Sequence, residues 1–136
     1  MKTTLWLRIS SVIALLFAVG HALGARNHWS PMRENPVFDA MRDTHFQTMG
    51  VNRSYLDFYT GFGYSLSVAQ LMLAVLLWQL ATLARTNARG VRPMIAVIAV
   101  AIAASGVIAG RLIFPLPALF ALMLVASLVV AYVTVR

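Results

Sequence analysis

Long apolar stretches separated by short polar ones set the pattern of this 136-residue chain. The first, Ile9 to Leu23, reaches about 19 residues when Leu5 to Leu7 are counted, close to the ~20 that a membrane helix needs. Leu66 to Leu83 forms the second, broken only by Gln70 and Gln79, and Met94 to Phe114 and Pro117 to Val135 form the third and fourth. The pattern predicts an all-α membrane protein, a four-transmembrane-helix bundle with spans at about 5–24, 58–84, 94–114 and 117–135. A polar loop at 25–53 separates the first two.

Local signals refine the boundaries. Ser54 with Asp57 three residues on is a capping box, so the second helix starts early and projects a turn or two beyond the hydrocarbon. Pro93 is expected to start the third span, and Pro115-Leu116-Pro117 to turn the chain tightly into the fourth. Inside the loop, Asn35-Pro36 reads as a cap followed by a proline at the first helical position. Val37, Phe38, Met41, His45 or Phe46, and Met49 then recur at helical spacing, with Asp39, Arg42 and Asp43 largely opposite and Gly50 as the stop. This predicts a short amphipathic helix, lying on the membrane surface or over the mouth of the bundle.

Composition agrees with a single membrane domain over residues 1–136. Sixty per cent of the residues are hydrophobic and 11% charged, against ~25% charged in soluble domains. Lys2 and Arg8 ahead of an apolar run also fit a secretory signal, with Leu23-Gly24-Ala25 as a poor cleavage site. The length of the run favours an uncleaved first span. Cysteine is absent, which excludes disulfides, thiol catalysis and Cys-type metal centres.

The net charge of +7 reads as topology and not as a nucleic-acid footprint, since no basic patch alternates with aromatic residues. Arg85, Arg89 and Arg92 lie in a short loop with no acid, whereas Glu34, Asp39 and Asp43 all lie in the 25–53 loop. The positive-inside rule therefore places both termini and the 84–92 loop in the cytoplasm, and the 25–53 loop outside. Trp6, Trp78 and Tyr132 are expected as inner aromatic anchors, and Trp29, Tyr55, Tyr59 and Phe114 as outer ones. Arg8, one turn inside the first span, can snorkel to the inner surface.

Candidate chemistry collects near the outer end. Asp57 reads first as a helix cap, with Arg53 one turn earlier as its partner. Thr60, Gly61, Tyr64 and Ser65 follow Asp57 at helical spacing, which would carry a polar stripe into the bundle. His21 lies inside the first span, where ionisable groups usually face the interior. It reads as a neutral imidazole hydrogen-bonded across helices to Tyr64, Ser65 or a backbone carbonyl, or alternatively as a proton carrier or ligand paired with Asp57. Arg111 reads as a snorkelling anchor, or as a counter-charge to Asp57 or to an anionic head group. His28 and His45 could join His21 on a metal, but no pair has the spacing of a metal motif, so no metal and no cofactor is expected. Gly61-Phe62-Gly63 is not a phosphate loop and reads as close packing or a slight bend. Gly20 with Gly24, and Gly106 with Gly110, are G-x-x-x-G pairs suited to tight packing, the second extended by Ala96, Ala99 and Ala103.

The stretch R-S-Y-L-D-F-Y-T-G-F-G from Arg53, preceded by G-H-A-L-G, A-M-R and F-Q-T-M-G, resembles a family of small bacterial four-helix membrane proteins without an assigned activity. The resemblance covers roughly Gly20 to Gly63, and the last two spans match only in hydropathy. It implies a bacterial inner-membrane protein of the same architecture. A general similarity to four-helix proteins of the DoxX kind is a fold-level analogy and carries no residues across.

No catalytic set stands out in so small a chain. The leading expectation is an accessory or structural subunit that docks on another membrane protein through its aromatic rim and loop helix, with membrane lipids as further partners. The alternative is a protein binding a lipid, quinone or similar apolar molecule at the outer face, with His21, Asp57 and Tyr64 as polar contacts. A membrane enzyme or proton-coupled carrier would need His21 and Asp57 within hydrogen-bond reach, directly or through one water.

Overall fold

A computed structural model describes residues 2–27 and 35–135; Trp29, His28 and Glu34 lie outside them. The chain folds as α1 (Lys2–Gly24), a 3-10 turn (Ala25–Asn27), α2 (Pro36–Asp43), strands β1 (His45–Thr48) and β2 (Val51–Ser54), then α3 (Tyr55–Leu83), α4 (Ala88–Leu112) and α5 (Pro115–Val133). Four of these helices are long and apolar enough to cross a membrane, consistent with a multi-pass membrane protein. The chain divides into two compact units, Met1–Phe17 with Gln70–Arg136, and Ala18–Ala69.

The first unit is a helical bundle whose interior mixes large aliphatic with small residues while many large apolar residues face outward. Its buried positions recur every three and four residues: Leu7, Ser10 and Ala14 on α1, Ala74, Leu77 and Ala81 on α3, and Leu124, Ser127, Leu128 and Ala131 on α5. Val91 and Ile95 complete the core from α4. Much of this interior is alanine and serine, while Leu15, Leu16, Val97, Val100 and Leu122 point outward. A water-soluble bundle would not leave so many large apolar residues exposed as well. In lipid, apolar burial drives little helix association, so small residues that let backbones approach are selected for the interior.

Hydroxyls supply the directional contacts. Ser10 Oγ and Ser127 Oγ are 2.7 Å apart in the buried core, and Ser11 Oγ donates to the Ala74 carbonyl at 2.6 Å. Thr3 and Thr134 share a bond of 3.2 Å. Ser10, Ser127 and Thr134 also lie within reach of carbonyls on their own helices, so these hydroxyls are satisfied both within and between helices. Helices α4 and α5 pack through glycine: a Cβ built on Gly106 would stand 2.8 Å from the Ala121 Cβ, and one on Gly110 would meet Ala118 at 3.5 Å. Gly20 differs. A Cβ there would meet nothing within 4 Å, because Gly20 lies on the outward face of α1, and it is not a packing position. Gly24 is half-buried.

Three expected boundaries move. Helix α4 begins at Ala88 and not at Pro93, because Asn87 caps it by accepting from the Gly90 N–H at 2.9 Å. Pro93 lies inside the helix and leaves the Arg89 carbonyl without its usual amide donor. The α4–α5 reversal falls at Ile113 and Phe114, and α5 starts at Pro115 with Pro117 still within its first turn. Both prolines occupy positions whose N–H groups would have no helical partner.

The loop correction is larger. Asn35 caps α2 by accepting from the Val37 N–H, as the Asn-Pro signal predicts, but the helix ends at Asp43 and does not run to Met49. Thr44 turns extended, and His45–Thr48 pairs antiparallel with Val51–Ser54 in the register His45 to Ser54 and Thr48 to Val51. Met49 and Gly50 form the two-residue turn with φ of 47° and 80°. Two positive φ values in a row match the twist of a tight hairpin, whereas a helix through Gly50 would leave this ladder unpaired.

Candidate functional site

The Ala18–Ala69 unit holds the stretch on which the sequence placed its chemistry. Its frame is the junction of β2 with α3. Ser54 ends the strand and caps the helix: the Asp57 N–H donates to Ser54 Oγ, and the Ser54 N–H donates to Asp57 Oδ2, both at 3.0 Å. The Tyr55 N–H donates to the Thr44 carbonyl at 3.2 Å, tying the foot of the hairpin to the helix start. Asp57 is thus the reciprocal half of the capping box that the spacing predicts. Arg53 does not form an ion pair with it. Its guanidinium donates to the Asn52 carbonyl at 3.0 Å, and Arg53 and His45 add a Coulombic attraction to the carboxylate.

The polar stripe does not enter a core. Asp57, Gly61, Tyr64 and Ser65 are exposed, while Leu56 and Ser67 are buried and Thr60 and Gly63 half-buried. Buried positions on α3 therefore fall one residue before the polar ones, which turns the stripe outward by about 100°. Nothing in the structure explains the glycine at Gly61, where a Cβ would meet open space.

His21 lies on the half-buried side of α1. Its Nδ1 is 2.9 Å from Ser67 Oγ, and Ser67 Oγ donates to the Gly63 carbonyl at 3.3 Å. The expected cross-helix hydrogen bond exists, but its partner is Ser67 and not Ser65. Ser67 lies ten residues beyond Asp57 on α3, about 15 Å along the axis. His21 and Asp57 are therefore not brought together, and the acid–base pairing that a carrier or enzyme would need is not formed.

The aromatic side chains of the hairpin and α3 assemble into a ladder. Phe46 from β1 packs against Tyr55 and Phe58 with ring centroids 5.1 and 5.9 Å apart, and Phe58 meets Phe62 edge-on at 4.8 Å. Tyr59 contacts Phe38 of α2 at 6.1 Å. Phe58 and Phe62 are nonetheless 55% and 64% exposed, and the hairpin tip Met49 is fully exposed at 101%. Tyr55, Phe58 and Phe62 follow at three- and four-residue spacing, so the ladder was legible as a helix face. Its extension to Phe46 depends on the hairpin.

Within the first unit, the expected aromatic anchors Trp78 and Tyr132 each meet an arginine. Arg8 Cζ stands 3.9 Å from the Trp78 ring centroid, and Arg92 Cζ stands 4.4 Å from that of Tyr132. Arg111 is exposed on the last turn of α4, where a cation suits the helix dipole. No group of three or more metal-ligating side chains occurs among the described residues. Comparison of the chain with protein-family models, with curated proteins and with solved structures finds no match.

Proposed function

We propose that this protein is an accessory subunit of a membrane assembly, docking on another integral membrane protein through the face built by Phe46, Tyr55, Phe58 and Phe62. The observation that carries this reading is the exposure of a pre-assembled aromatic ladder. Aromatic residues are enriched in the energetically dominant parts of interfaces, and these four already hold one another in place, so docking would cost little side-chain entropy. The rigid capping box beneath them fixes the angle at which the ladder is presented.

The same reading places the protein in a bacterial cytoplasmic membrane with both termini inside and the hairpin outside. It rests on the acid-free basic turn at 84–92 and on the resemblance of the Gly20–Gly63 stretch. Co-purification from gently solubilised membranes at native expression tests the docking. A partner protein retained by the wild type and lost from Phe58→Ser/Phe62→Ser is the expected result. A monomer retaining instead a quinone or lipid that His21→Ala releases would favour the ligand-binding reading.

A further inference from the structure

At the opposite end of α3 from the capping box, an open apolar groove of about 640 Å³ runs between α3 and α4. Leu76 and Leu83 form one wall and Pro93, Met94 and Val97 the other. Its volume lies within the range of small-molecule sites. A single polar side chain, Gln79, interrupts the apolar lining one turn short of Leu83.

The mouth of the groove is basic. Arg89, Pro93 and Val97 follow one another at four-residue spacing, so Arg89 continues the α4 wall by one turn past the groove. Arg85 follows Leu83 in the connecting turn, and both arginines are exposed. The guanidinium groups of Arg8 and Arg92 are stacked on rings, whereas no acid occurs anywhere from residue 58 to 136. Two uncompensated cations at the mouth, an amide donor about one turn inside the lining, and the apolar trough that continues past it thus lie in order of depth along the helix axis. The phosphate, ester carbonyl and acyl chain of a glycerophospholipid follow the same order and polarity.

We propose that this groove binds an anionic glycerophospholipid, with the phosphate on Arg85 and Arg89, an ester carbonyl accepting from the Gln79 amide, and an acyl chain along Leu76, Pro93 and Val97. The site rests only on the chain being embedded in lipid, and stands or falls independently of the aromatic docking face. Charge complementarity selects the lipid class, since a zwitterionic head group gains little from two guanidinium groups, whereas each basic residue near an anionic surface adds about fivefold in affinity.

Native mass spectrometry of the full chain, released from micelles holding equimolar phosphatidylglycerol and phosphatidylethanolamine, tests the proposal. Phosphatidylglycerol should be retained preferentially. Arg85→Gln and Arg89→Gln should each weaken that retention about fivefold, while Arg111→Gln at the far end of α4 leaves it unchanged. Val97→Trp, at an exposed position that can take the ring without repacking the core, should fill the groove and displace the lipid. Equal retention of the two lipids overturns the proposal. So does undiminished phosphatidylglycerol binding in a folded Val97→Trp variant, because the charges would then be acting without the groove. A dimer mass in place of the lipid adduct overturns it too, making the groove a contact between copies.

Discussion

The guanidinium of Arg8 lies 3.9 Å from the centre of the Trp78 indole, and its Nε is buried without a hydrogen-bond partner. The ring face therefore substitutes for water around a cation one turn inside an apolar helix. Such contacts are worth about 0.5–1 kcal/mol when exposed and ~2 kcal/mol when desolvated. Arg8→Gln and Trp78→Leu should each destabilise the protein in detergent, and their double-mutant cycle should return a coupling of about 1–2 kcal/mol. A coupling near zero would mean that Arg8 reaches water by itself.

Gly106 and Gly110 should respond differently to the same substitution. A methyl at Gly106 collides with the Ala121 Cβ at 2.8 Å, so α4 and α5 must separate, whereas at Gly110 it meets Ala118 at an ordinary 3.5 Å. Gly106→Ala should lower thermal stability by about 1–3 kcal/mol while Gly110→Ala stays within ~0.5 kcal/mol of wild type. Gly106→Leu should unfold the monomer and not merely dissolve an oligomer, a distinction that a native gel read beside circular dichroism makes directly.

The buried serine pair predicts a third asymmetry. Ser10 Oγ is also 2.9 Å from the Trp6 carbonyl and Ser127 Oγ 2.9 Å from that of Leu124. One hydroxyl donates across the pair and the other to its own helix, and whichever serine remains after the other is removed can donate to its backbone carbonyl. Ser10→Ala should then cost only about 0.6 kcal/mol, the average for an interhelical hydrogen bond in a membrane. Ser10→Leu, which forces a large side chain into a fully buried small-residue seam, should cost several times as much in a denaturation midpoint series.

These contrasts show what was legible in the sequence. Length and apolarity gave the four long helices, because hydrocarbon tolerates little else, and the Ser54–Asp57 and Asn35–Pro36 signals gave two helix starts that the structure reproduces. The hairpin was missed because Val37 to Met49 satisfies a helical period, while the positive φ that makes the turn falls on a methionine, which seldom adopts it. The start of α4 was misplaced because Pro93 is a louder signal than Asn87. His21 was correctly expected to hydrogen-bond across helices, but a helical-wheel reading anchored on Asp57 pointed to the wrong serine. The groove at the far end of α3 needs two helices in place before Gln79 on one wall and Arg89, a turn beyond the other, can be seen to belong to one site.

The cap and the turn of the Ala18–Ala69 unit can be probed separately. Ser54→Ala removes the acceptor for the Asp57 N–H and should cost about 1 kcal/mol, and Asp57→Asn should cost less because the amide oxygen still accepts from the Ser54 N–H. Gly50→Val places a β-branched residue at a φ of 80° and should cost about 1–2 kcal/mol. Hydrogen exchange at Thr48 and Val51 reports the turn, and exchange at Asp57 reports the cap. If the two move together in every variant, hairpin and helix start form one cooperative unit.

The proposed orientation meets its sharpest test at Met49 and Thr86. The chain contains no cysteine, so a single introduced thiol reports one position without background. Met49 at the hairpin tip and Thr86 in the α3–α4 turn are both exposed, and neither side chain contributes to a core. If the arginines at 85, 89 and 92 hold their turn in the cytoplasm, Met49→Cys reacts with a membrane-impermeant maleimide in intact cells, after the outer membrane is opened where one is present. Thr86→Cys should react only once the inner membrane is disrupted. Labelling of Thr86→Cys in intact cells would reverse the topology, move the aromatic ladder to the cytoplasm and require a partner on that side. If all four long helices cross, the chain returns to its starting face, and one such measurement reports both termini.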